Sequence, residues 1–262
     1  MTPFLLQQYI TGLTKNGNLR SGEGLAPNTV NSVITVLQGS LRQAYELGMI
    51  TEYTADKIKR PKSKEKQITC FTPEEQKKIE KAVREDRRVK MFGVLLTLYT
   101  GLRIGELIAL EWTDVDFSKG EISINKSCHD SRKEGKYCRL CEEPKTETSK
   151  RIVPIPKQLI PLLRDVKKKN RSRYVVGDGD KIISVRSYQY SFSLMLDRLG
   201  ITHRGFHSLR HTFATRALEC GMDIRTLAEI LGHKNPTVTL NRYAHSLLSH
   251  KHAAMDRLGK LL

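Results

Sequence analysis

The sequence has no run of apolar residues long enough to cross a bilayer. Its first residues, Thr2-Pro3-Phe4-Leu5-Leu6-Gln7-Gln8-Tyr9, lack the charged start and continuous apolar segment of a secretory signal. A cytoplasmic protein is therefore expected. Internal repeats and low-complexity segments are absent, which excludes solenoids and compositional tails. Acidic residues are scarce: 28 Asp+Glu face 45 Lys+Arg, for a formal net charge of +17 and a pI near 9.7. That imbalance points to a polyanionic partner, with nucleic acid first, against the plainer reading of a well-solvated basic surface. Cysteine is sparse and odd in number, at five. With no export signal, five cysteines argue for reduced thiols or a metal site over a disulfide framework.

What is present suffices for a packed protein. At 262 residues and 39% apolar content the chain can form one large domain or two ordinary ones. Thr2-Pro3 reads as an N-cap and first helical position, followed by a short helix through Phe4, Leu5, Ile10 and Leu13. Asn16, Gly17, Gly22 and Gly24 mark a loop over residues 15–26, and Pro27 opens a stronger helix. In that helix Val30, Val33, Ile34, Leu37, Leu41 and Tyr45 recur at helical spacing, so one face must be buried. Two helices make a meagre core. Residues 1–57 are therefore expected to be part of a larger helical module whose start is truncated, with an apolar groove left open beside the second helix. Residues 58–68 read as a basic linker whose Lys59, Arg60, Lys62 and Lys64 suit a strap across DNA phosphates, or simply a solvated connection.

A second domain starts at Thr72-Pro73-Glu74-Glu75, a capping box with proline in the first turn. Val89 to Tyr99 is apolar nearly all round and is expected to be a buried helix, ended by Gly101. Arg103 then opens another helix, with Glu106 three residues on and able to pair with it. Glu121–Lys126 and Lys150–Ile155 alternate as two strands, separated by a hairpin insertion that carries Cys128, His129, Cys138 and Cys141. Lys145 is expected at or near a hairpin tip. A helix opened by Pro156 closes in Lys167-Lys168-Lys169. Tyr174–Val176 and Ile182-Ile183 are short apolar pieces around a turn, and Ser187–Leu199 resumes helical spacing with Tyr190, Leu194 and Leu196.

Arg103, Lys145, His207, Arg210, His233 and Tyr243 follow in that order. Their contexts are Thr-Gly-Leu-Arg-Ile-Gly-Glu-Leu, Pro-Lys-Thr, His-Ser-Leu-Arg-His-Thr, Leu-Gly-His and Asn-Arg-Tyr. Each alone has an ordinary structural explanation, such as a cap or a packed aromatic. Together and in order they resemble the tyrosine recombinase (phage integrase) family, most closely integrases of temperate phages and integrative conjugative elements. The match covers roughly residues 71–248, with a looser match of residues 3–56 to the family's core-binding helical domain.

The resemblance implies a mainly α protein with a small antiparallel β-sheet, arranged as a two-domain DNA clamp. Residues 1–57 would be the helical core-binding domain and residues 69–248 the catalytic domain. Residues 249–262 would be a helical tail that either packs in cis or passes to a neighbouring protomer. It implies a nucleoid-associated site-specific recombinase that cleaves and rejoins double-stranded DNA within a tetrameric synapse, integrating or excising a mobile element without ATP or metal. Arg103 and Arg210 would clamp the scissile phosphate. His207 and His233 would add hydrogen bonds to the same phosphate or assist deprotonation of the tyrosine hydroxyl, Tyr243 would be the nucleophile, Lys145 would protonate the departing 5′ oxygen, and Glu106 would steady Arg103.

His211 points about 100° round the helix from Arg210, which reads as a packing or supporting role. The cysteine insertion departs from the family pattern. Cys138-Arg139-Leu140-Cys141 has zinc-knuckle spacing, so Cys128, His129, Cys138 and Cys141 are weak zinc candidates, set against partly packed thiols. Cys70 and Cys220 are expected to be packing residues. Two other readings stay open: a type IB topoisomerase-like nicking and rejoining enzyme, and a non-catalytic DNA-binding relative.

Overall fold

The computed structural model describes residues 2–62, 69–86, 88–133, 136–142, 150–177, 181–240, 243, 255 and 259. Lys64 and Lys145 lie outside them, as does the expected tail apart from Met255 and Gly259. The chain divides into two units, Met1–Gln67 and Ile68–Leu262.

In the first unit α1 (Pro3–Asn16) begins where Thr2 accepts a hydrogen bond from the Leu5 amide at 3.4 Å. It runs into the expected loop as far as Asn16, because Gly17 and not Asn16 is its cap. α2 (Pro27–Glu46) starts at the predicted proline. Leu6 and Ile10 of α1 pack on Val30 and Ile34 of α2, with Ala55 and Ile58 closing the cluster. Each fully buried aliphatic of this kind contributes about 1.5–3 kcal/mol. Phe4, Leu5 and Tyr9 on α1, and Val36 and Tyr45 on α2, stay exposed.

The start of the expected linker is built into this unit. Ile58 is buried, and the Lys59 amide donates to Gln7 Oε1. The Arg60 guanidinium donates to the Asn31 carbonyl, Thr35 Oγ1 and Gln38 Oε1 along α2. The sequence shows a basic stretch with no period. It hides the fact that one apolar residue and one guanidinium fork find partners on helices already formed.

The second unit is mostly helical. α3 (Pro73–Glu85) carries the capping box in both directions: Glu75 amide to Thr72 Oγ1, and Thr72 amide to Glu75 Oε2. A 3-10 turn (Val89–Met91) leads into α4 (Phe92–Thr100), buried at every position except Tyr99, which is partly buried. Gly101 ends it at φ 67°, where a side chain would also strike Phe213. α5 (Ile104–Ala109) follows at once.

β1 (Val115–Asp116), β2 (Glu121–Ile124) and β5 (Arg151–Pro154) form an antiparallel sheet in the order β1-β2-β5, with Ile122 opposite Val153. β3 (Ser127–Lys133) and β4 (Lys136–Glu142) make a separate hairpin. α6 (Leu159–Lys169), α7 (Val185–Arg198), α8 (His207–Glu219) and α9 (Ile224–Leu231) complete the described elements, and residues 236–240 are helical. α7 buries Tyr188, Phe192, Met195 and Leu196, whereas Tyr190 and Leu194 are exposed. Of Tyr190, Leu194 and Leu196, Leu196 alone thus lies on the inward stripe of that helix.

The cysteines correct the sequence reading. Cys128 and Cys141 stand directly opposite each other in the hairpin and are joined by a disulfide. Cys138 faces Ser131, so strand alternation puts it and His129 on the opposite face from the bridged pair. The four zinc candidates therefore do not converge, and no group of three potential ligands stands together among the described residues. Cys70 Sγ lies 3.2 Å from Thr215 Oγ1, but Cys220, expected to pack, is exposed at the end of α8.

Candidate active site

The last carbonyls of a helix have no intrahelical donor and carry the negative end of its dipole. At the end of α9 three successive carbonyls each receive an arginine. Arg151 Nε donates to Ile230 at 2.6 Å, Arg210 Nη2 to Leu231 at 2.6 Å, and Arg103 Nη2 to Gly232 at 3.0 Å. Gly232 is left-handed, at φ 64°, and a Cβ there would lie 2.9 Å from Arg151 Nη1. Only glycine satisfies both the backbone and the close approach.

Glu106 locks the same group from the other side. Its carboxylate accepts from Arg103 Nη1 at 2.7 Å and from the Arg103 amide at 2.8 Å, while Arg151 grips both oxygens at 2.9 and 2.8 Å. Burial pushes the Glu106 carboxyl up, but the Arg151 fork, the charges of Arg151 and Arg103 and the Arg103 amide together hold it down at about 2. Arg210 also donates to the Gly101 carbonyl at 2.7 Å and is 2% exposed. Burial, followed by the Arg103 charge, pushes its guanidinium down to about 9. A cation so placed gains from any anion brought beside it.

The other end of the site is built from rings. Arg210 Nη2 lies 3.1 Å from His233 Nε2, and His233 Nδ1 lies 2.7 Å from Thr239 Oγ1. A guanidinium can only donate, so His233 Nε2 accepts and Nδ1 carries the proton toward Thr239. Tyr243 is 3% exposed, packed with Ala214, Ala217, Leu218, Leu227 and Leu231. Its hydroxyl is 2.7 Å from His211 Nδ1. The His211 ring meets the His207 ring edge to face at 4.5 Å, the two residues being one helical turn apart on α8.

His207 and Arg103 open onto a cleft of ≈ 1220 Å³ whose walls include Arg139, Arg186, His129 and Asp130. Asp130 accepts from the Val185 and Arg186 amides and so ties the hairpin to the start of α7. Such a basic cleft suits a phosphodiester, and the two guanidiniums of Arg103 and Arg210 suit its non-bridging oxygens.

Of the six residues singled out in sequence, Arg103, His207, Arg210, His233 and Tyr243 gather around α8 and the end of α9. Lys145 falls outside the described residues. Arg151 was missed, and His211, read as a packing or supporting residue, stands at the Tyr243 hydroxyl. Arg151 stands two residues before the buried Val153 on β5, shares its inward face and has a side chain only 6% exposed. His211 is four residues after His207, which puts both on one helical face.

Residues 69–250 match the phage integrase family. The chain is 32% identical to a XerC-like tyrosine recombinase of Caldanaerobacter subterraneus subsp. tengcongensis, over 91% of this chain and 68% of the relative. It is 26% identical to the ICEBs1 integrase of Bacillus subtilis, over 91% and 67% respectively. Among solved structures, the Tn1549 transposon integrase in complex with transposon right end DNA aligns with a TM-score of 0.81 at 22% identity, over 99% of this chain and 86% of that one. A lambda integrase dimer bound to a core site aligns at 0.65 and 19% identity, over 91% and 81%.

Proposed function

The chain belongs to the phage integrase family, and from that premise we propose that it is a site-specific DNA recombinase that integrates or excises a mobile element. The observation that carries this reading is the buried arginine group on the end of α9, with a tyrosine and three histidines within the same helical subdomain.

In the proposed reaction a DNA phosphate enters the basic cleft, and Arg103 and Arg210 hold its non-bridging oxygens as negative charge builds in the transition state. Tyr243 attacks the phosphorus and forms a 3′-phosphotyrosine bond, while Lys145 protonates the departing 5′ oxygen. The phosphotyrosine keeps the energy of the broken bond, so rejoining calls for neither ATP nor metal. His207 adds a hydrogen bond at the phosphate from its place on the cleft. His233, with its Nε2 turned on Arg210, fixes the guanidinium. Glu106 and Arg151 hold Arg103 from behind.

On this reading Met1–Gln67 is the DNA-binding module and the second unit is the catalytic one, the two closing on duplex DNA as a clamp. Lys62, with Lys64 beyond it, would meet phosphates, and Lys59 and Arg60 would do so from the edge of the first unit. Four copies would form the synapse, with residues 249–262 exchanged between protomers. The relatives are named as recombinases and integrases, which favours strand exchange over simple nicking or a non-catalytic binder.

A nicked suicide substrate that traps the covalent intermediate tests this. The native chain is expected to form a 3′ adduct and Tyr243→Phe none. An adduct in that variant would remove Tyr243 as nucleophile.

A further inference from the structure

We infer that His211 is the base that takes the proton of the Tyr243 hydroxyl when the tyrosine attacks, and returns it when the strand is rejoined. The inference rests on the reading of Tyr243 as nucleophile and assigns the acceptor of its proton to a residue other than His207 and His233.

His211 Nδ1 is 2.7 Å from the phenolic oxygen, within the reach a proton transfer needs before any rearrangement. Its ring is carried on α8, the helix that also supplies His207 and Arg210, so base and phosphate clamp stand on one rigid element. His207 lines the cleft and lies edge to face on His211, so Tyr243 oxygen, His211 and His207 run in sequence from the buried tyrosine to the cleft.

His233 is the competing acceptor and is poorly disposed for the task. Its Nε2 lone pair faces the Arg210 guanidinium and its Nδ1–H faces Thr239, so a proton could be accepted only after one of these bonds broke. Arg210 gains from the same event. The negative charge that develops on the Tyr243 oxygen lies near enough to favour the charged guanidinium.

The step balances. The Tyr243 O–H bond breaks and its proton goes to His211 Nδ1. The oxygen–phosphorus bond forms as the phosphorus–5′ oxygen bond breaks, and that oxygen takes its proton from the general acid. In the reverse direction the 5′ hydroxyl attacks as its proton returns to the general acid, the phenolic oxygen leaves, and His211 gives the proton back to it.

The test is the single-turnover rate of adduct formation on the suicide duplex, with duplex affinity measured beside it. His211→Gln keeps a hydrogen-bonding side chain but cannot store a proton. It is expected to slow adduct formation roughly 10²–10⁴-fold with affinity within about twofold. His211→Ala is expected to recover part of the rate when imidazole is added. Replacing Tyr243 with 3-fluorotyrosine, a more acidic phenol, is expected to shrink the His211→Gln defect, which a purely structural histidine would not do.

Rates within about threefold of native in His211→Gln, alongside a dead Tyr243→Phe, would overturn the assignment and leave the recombinase reading standing. So would a His211→Gln defect of unchanged size with the fluorinated tyrosine. An active Tyr243→Phe would remove both.

Discussion

Arg103, Arg151 and Arg210 are held by carbonyls of a folded helix and by one buried carboxylate, whereas the Tyr243 hydroxyl meets His211 and its ring packs in a small cluster of alanines and leucines. The first half is charged, buried and bonded in several directions at once. The second is a group of packed rings joined by hydrogen bonds between His211 and Tyr243 and between His233 and Thr239. Guanidiniums aimed at a phosphate must already be in place when charge develops, because reorienting them during reaction would forfeit their effect. A nucleophile must instead leave its resting partner to form a bond. The site divides into a part built to stay and a part built to be released.

The largest break in that contrast is expected from Glu106→Ala, which strands two arginines against a helix end with no carboxylate between them. Removing one partner of such a buried ionic group costs about 3–5 kcal/mol. Thermal denaturation should show a clear fall in Tm, and the adduct rate should collapse with it. An unchanged Tm would mean the arginines do not depend on Glu106.

Acid probes the same half more gently. The folded Glu106 carboxyl titrates near 2, below its ordinary value of 4.5. Its contribution is therefore fully present above about pH 4.5 and is lost as pH falls from there through 2. That contribution is worth about 3 kcal/mol. Denaturant unfolding across this window should lose stability in the native chain and show a flatter profile in Glu106→Gln.

The smallest effect is expected on the ring side. Thr239→Val leaves the His233 Nδ1–H without its hydroxyl partner, at a cost of about 1 kcal/mol. The adduct rate should fall less than about tenfold, since the Arg210 contacts with Leu231 and Gly101 remain. A loss as large as that of Glu106→Ala would erase the distinction between the halves.

Much of the site was legible because its residues sit at chemically marked places. Gly101 before Arg103, Glu106 one turn later and Gly232 before His233 are helix punctuation, and punctuation is local. The Thr72–Glu75 box and the proline starts of α1 and α2 were legible for the same reason. Arg151 was not, because an arginine on a four-residue strand reads as solvent-facing until its partner Glu106, 45 residues earlier, is known to be buried. The Cys128–Cys141 bridge depends on the register of a charged hairpin that has no apolar alternation to fix it. β1, at two residues, has no period to detect. His211 was read as a packing or supporting residue from its angle to Arg210, and its contact with the Tyr243 hydroxyl, 32 residues on, had no local signal.

The end of α9 sets a limit on how this protein can change. Successive carbonyls of an α-helix are turned about 100° from one another, so Ile230 and Leu231 aim Arg151 and Arg210 along separate spokes, and Gly232 turns Arg103 to a third. Substitutions along the outer face of α9 leave that fan untouched. Gain or loss of one residue between Asp223 and Gly232 would present each arginine with its neighbour's carbonyl, so drift in this segment is confined to changes of side chain and closed to changes of length.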